Sequence, residues 1–288
     1  MGSAVLGALV AGAGGLLMPS LVRRVPEPAP DPAPDPAPLE DPAPLEDPAP
    51  LEVATTVEVA TPVEVATPVE DTRPTEVVAT ADAAVPQPEP APKALYVDIA
   101  AGRGTRVGVP VASVAAGALV GAVLGWDWSL LLWLPLTPVL IALAVVDWRT
   151  RLLPTWVIRR TYWVLVVLAV AAGVVSGDLD DLVRAGLGGV IALACFFVLW
   201  FIHPRGLGFG DVRLSGILGI ALGYLGWGEL LAGLYSAFLV GGVGGALLAM
   251  LRLADRKGVP FGPFLVIGAF LGVVVGPWTW SYLAGGGA

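Results

Sequence analysis

The sequence predicts an all-α fold, a polytopic bundle of seven or eight membrane-spanning helices interrupted by one long disordered segment. Three observations carry this. Hydrophobic residues make up 56% of the 288, and mean hydropathy is strongly positive, a composition that points to membrane spans. Apolar runs of span length recur from residue 107 onward, separated by short connections. Charge is also divided unevenly: 16 acidic and four basic residues lie between Pro26 and Arg106, against 8 acidic and 12 basic elsewhere, so the net charge of −8 belongs to one segment. Cys195, the only cysteine, sits inside an apolar run, which leaves no disulfide framework and no cysteine-based zinc site.

Residues 2–18 form an apolar stretch with no basic residue before it and with Arg23 and Arg24 behind it. A secretory signal carries its charge in front, so this order predicts a retained first span. At 17 residues it is near the lower limit for crossing hydrocarbon. From Pro26 the chain changes to Asp-Pro-Ala-Pro and Glu-Val-Ala-Thr-Pro-Val units. Proline at this density blocks helices and central strands, and the acids keep the segment solvated, which predicts an extended or disordered linker. The expected domains are therefore a span at 1–25, an acidic linker at 26–106 and a multi-span domain at 107–288. Within the last, the spans are expected at 107–125, 129–146, 157–176, 184–202, 213–227, 229–251 and 262–283. The run 213–227 is short and has to be tilted or shielded.

Basic residues set the orientation. With the N-terminus outside, alternation of eight spans places 15 of the 16 Lys and Arg residues on the cytoplasmic side and leaves only Arg184 outside, as the positive-inside rule requires. Asp147, at the end of one apolar run, and Asp211, at the start of another, then fall at the cytoplasmic face together. Asp211 closes the glycine-rich stretch Gly206-Leu207-Gly208-Phe209-Gly210-Asp211. Without a Cβ, such a stretch bends sharply or admits a substrate backbone closely.

Two carboxylates at one membrane depth suit peptide hydrolysis. Like charges held close share a proton, so one member can take a proton from water while the other hydrogen-bonds the scissile carbonyl. The same acids also suit a proton or cation path, an interfacial charge cluster or a non-catalytic scaffold, and position alone leaves these open. His203, alone before Pro204, reads as an interfacial residue outside the catalytic set. Two carboxylates without further ligands make a poor metal cage; no metal, cofactor or nucleic-acid partner is expected.

Three motifs resemble those of one family. Gly206 to Leu214 resembles the second active-site motif of type IV prepilin peptidases, membrane aspartic proteases of the Gly-x-Gly-Asp class. Asp147-Trp148-Arg149-Thr150-Arg151-Leu152-Leu153-Pro154 is similar to their first motif. Val259-Pro260-Phe261-Gly262-Pro263-Phe264 resembles the Pro-Phe-Gly-Pro signature opening their last helix. The resemblance implies a leader peptidase of a prokaryotic inner membrane, acting at the cytoplasmic face. Asp147 and Asp211 would be its catalytic pair, Gly206, Gly208, Gly210, Pro260, Gly262 and Pro263 would shape the substrate site, and the partners would be a prepilin or pseudopilin precursor and the lipid bilayer. Bifunctional members carry two Cys-x-x-Cys pairs in a cytoplasmic domain that N-methylates the product; here the acidic linker stands in that place, so methyl transfer is not expected. Two further departures are Thr155, where the first motif usually continues with Asn or Asp, and Arg213, where the second usually has Lys. Arg149, Arg151 and Arg213 are expected to anchor headgroups or fix topology.

Overall fold

The computed structural model describes residues 1–24, 102–204, 206–251 and 260–285. Eight helices account for nearly all of these: α1 (Gly2–Val22), α2 (Arg103–Leu124), α3 (Leu130–Thr150), α4 (Thr155–Ser176), α5 (Leu179–Ile202), α6 (Phe209–Leu225), α7 (Trp227–Met250) and α8 (Gly262–Leu283). The expected linker lies outside the described residues up to position 101, and α2 begins within its last four. Every helix except α6 is long and apolar enough to cross a membrane, giving seven such spans among the described residues. The protein is a multi-pass membrane protein. Its outward faces carry rows of aliphatic side chains, such as Val164, Val167, Val170 and Val174 on α4, which suit lipid contact.

The helices associate as three close pairs, α1 with α2, α5 with α6 and α7 with α8. Hydrocarbon offers no hydrophobic drive between helices, so close backbone approach through small residues takes its place. Gly7 and Gly117 each lie against the other's carbonyl, as do Gly188 and Gly219, and Gly272 lies against Gly233. A Cβ at Gly219 would stand 2.7 Å from the Ala192 Cβ and 2.9 Å from the Gly189 Cα. These glycines pack helices.

Helix α6 is the exception that organises the rest. At 17 residues it stands at the lower limit for crossing, and 12 of the 17 are buried. Contacts with α4, α5, α7 and α8 surround it, and Trp133 of α3 donates its indole N–H to the Ala221 carbonyl at 3.2 Å. Shielding by neighbours is how a short span is tolerated. At its far end Arg184 donates to the carbonyls of Gly223, Tyr224 and Leu225, satisfying last-turn acceptors that have no partner within the helix.

Candidate active site

Asp147 lies one turn before the end of α3. That helix stops because Arg151 adopts the left-handed conformation (φ 56°, ψ 24°), its N–H closing on the Asp147 carbonyl at 2.7 Å. The link to α4 is then only four residues, and Pro154 caps the next helix. Asp147 lies on the buried face of α3 with Leu143 and Val146 and is just 5% exposed. Its Oδ2 accepts the backbone N–H of Gly262 at 3.0 Å. A Cβ on Gly262 would sit 2.5 Å from that oxygen, so the contact requires glycine. Gly262 is in turn fixed by its neighbour Phe261, whose ring packs against Phe196, Phe238 and Phe264, with centroids 6.2, 5.4 and 6.4 Å away. Pro263 follows in the first turn of α8, where its missing N–H costs nothing.

Asp211 occupies the first turn of α6, its N–H bonded to the Gly208 carbonyl at 3.0 Å. The glycine-rich stretch is therefore partly helical: α6 begins at Phe209 rather than at 213, and the carboxylate projects from a helix N-terminus, where the backbone dipole favours negative charge. Asp211 is also 5% exposed. Its Oδ1 is buried with no hydrogen-bond partner among the described residues, an arrangement that is costly unless the atom has another use. Asp147 and Asp211 lie within electrostatic reach of each other, and Arg151 is within reach of Asp147.

Each glycine of the stretch leaves space that the protein itself uses. Gly206 packs on the His203 imidazole, Gly208 lies where a Cβ would be 3.2 Å from Asp211 Oδ2, and Gly210 lies where one would be 2.9 Å from the Leu153 Cβ. The last contact joins the two aspartate segments directly. Pro260 precedes α8 and is half-buried. Thus Gly262 meets Asp147 and Gly208 meets Asp211, whereas Gly206 and Gly210 lie on the flanks of Asp211. Leu153, Thr155 and Tyr162 touch the Asp211 segment from the Asp147 side; Leu153 lies within the first motif and Thr155 just after it, but neither position announces this contact, and nothing marks Tyr162 in the sequence. Among the described residues, no three His, Cys, Asp or Glu side chains gather as metal ligands would.

Comparison with known proteins bears on this arrangement. Residues 134–276 match the model of the type IV leader peptidase family. The chain is 32% identical over 158 residues to a prepilin leader peptidase/N-methyltransferase of Aeromonas salmonicida, covering 52% of this chain and 50% of the relative. It is 33% identical over 134 residues to the protein of that name in Escherichia coli, covering 46% and 57% respectively. Against the one in Pseudomonas aeruginosa it is 30% identical over 173 residues, 58% of each chain. The chain thus spans about half the length of the curated relatives it matches. No solved structure matches it.

Proposed function

We propose that this chain, whose residues 134–276 match the type IV leader peptidase family, is an aspartic endopeptidase removing the leader from prepilin-like precursors at the cytoplasmic face of a prokaryotic inner membrane. The observation that carries this reading is that two buried carboxylates, Asp147 and Asp211, come from separate helices to within electrostatic reach of each other.

In this reading the pair holds one proton between them. The ionised member removes a proton from a water molecule as its oxygen attacks the scissile carbonyl. The protonated member hydrogen-bonds the carbonyl oxygen, and the resulting tetrahedral species collapses when a proton reaches the departing nitrogen. The Gly262 N–H bonded to Asp147 orients that carboxylate, and the open Oδ1 of Asp211 is the acceptor aimed at the reacting groups. Gly206, Gly208, Gly210, Pro260 and Pro263 shape the surrounding surface on which the extended substrate lies.

The 1–25, 26–106 and 107–288 organisation belongs to the same proposal, with the peptidase in the last. Methyl transfer is assigned elsewhere, because the whole sequence holds one cysteine and no Cys-x-x-Cys pair. A transport path is disfavoured: among the described residues every Asp and Glu within a helix lies near its end. The test is co-expression with candidate prepilins in membranes, comparing wild type with Asp147→Asn and Asp211→Asn. The mature product is expected from wild type alone, with all three chains inserted equally; cleavage surviving either substitution would refute the reading.

A further inference from the structure

We propose that Thr155, Tyr162 and Arg213 form a clamp that sets Asp211 against Asp147, with Arg213 a positioning residue. The inference deepens the functional reading above and rests on its assignment of the two aspartates.

Arg213 follows Asp211 by two residues on α6. Its guanidinium Nη1 donates to Thr155 Oγ1 at 2.6 Å, and its backbone carbonyl accepts the Tyr162 hydroxyl at 2.9 Å. Both partners belong to α4, which the short 151–154 link joins to the Asp147 end of α3. The N-terminal part of α6 is thus tied to α4 through side chain and backbone at the same residue. The guanidinium also lies over the Phe209 ring, 4.7 Å from its centroid, and that ring packs on Trp200 at 5.0 Å. Gly216 completes the arrangement, since the Tyr162 hydroxyl occupies the place a Cβ would take there.

Arg213, expected to anchor headgroups or fix topology, thus also makes contacts inside the bundle. A half-exposed Arg–Thr hydrogen bond adds little to stability. Its effect on geometry is another matter, because a reacting group displaced by about 1 Å can lose ~100-fold in rate. Thr155 and Arg213 are also the two positions at which the motifs depart from the pattern they resemble, and they are partners in space. A Lys at 213 would present a different donor geometry at equal charge, and an Asp at 155 would offer it a longer, charged acceptor.

The test uses the full chain, comparing wild type, Arg213→Lys, Thr155→Val and the double variant Thr155→Asp/Arg213→Lys. Cleavage kinetics on a prepilin precursor are read beside amide hydrogen exchange across residues 209–215. Each single variant is expected to lose about ten-fold in kcat, within that limit, with KM little changed and with faster exchange in this segment. The double variant is expected to regain most of the lost rate and protection. Single variants that match wild type in rate and exchange would overturn the clamp, as would a double variant no better than Arg213→Lys. A loss confined to KM would overturn it in favour of direct substrate contact. Should wild type cleave no prepilin, the functional reading falls while exchange in the variants still decides the clamp.

Discussion

Gly262→Ala is the sharpest small perturbation the site allows. The new methyl would stand 2.5 Å from Asp147 Oδ2, 3.0 Å from Cγ and 3.3 Å from Cβ, and real contacts of this kind begin near ~3.4 Å. The carboxyl group must therefore retreat by about 0.9 Å, or α8 must shift by as much. Asp147 is 5% exposed and its surroundings are close-packed, so neither move is free. Retreat also weakens the bond from the Gly262 N–H, now 3.0 Å; a hydrogen bond to a charged group contributes about 1.5–3 kcal/mol. A displacement near 1 Å at a reacting group costs ~100-fold, equal to about 2.7 kcal/mol of barrier. The assay is the rate of leader removal by purified protein in lipid vesicles, with thermal unfolding measured alongside. A loss of ~100-fold in kcat is expected. Wild-type cleavage by Gly262→Ala would refute the view that this backbone contact positions Asp147.

Other consequences concern the scaffold. Gly219→Val drives a branched side chain into Ala192 and Gly189 across the α5–α6 contact; overpacking costs about 1–3 kcal/mol, and Tm should fall by several degrees. Gly242→Ala is the matched control, because a Cβ there meets nothing within 4 Å, and its Tm should stay at or slightly above wild type. Trp133→Phe removes the 3.2 Å bond from the indole to the Ala221 carbonyl and should cost about 1 kcal/mol, read as a modest Tm decrease. Arg184→Ala frees the last carbonyls of α6, and hydrogen exchange should quicken near residue 225 and spare the Asp211 end.

Much of the architecture is legible in the sequence because span length and apolarity are local properties. All seven segments from 107 onward correspond to a helix, although α6 extends four residues further into the glycine-rich stretch than its composition suggests. Glycine disfavours helix by about 1 kcal/mol, but of the three glycines only Gly210 lies within α6, closely packed on Leu153. Helix partners are harder to read. The glycines of α5 announce a close contact, yet nothing in them says that α6 supplies the other side. Asp147 and Asp211 stand out as acids beside apolar runs, whereas the bond from the Gly262 N–H is invisible in sequence, since every residue but proline offers that donor. Tyr162 escapes for the same reason: an interfacial tyrosine is ordinary until its hydroxyl is seen on the Arg213 carbonyl.

The central claim is that Asp147 and Asp211 work as one catalytic unit. Its most direct test measures single-turnover leader cleavage by purified wild type, Asp147→Asn, Asp211→Asn and the double variant, each shown to be folded by thermal unfolding. Groups that act together are strongly non-additive. Each single variant should fall to the background rate, and the double variant should fall no further. Substantial activity in either single variant, or losses that multiply in the double, would contradict the account.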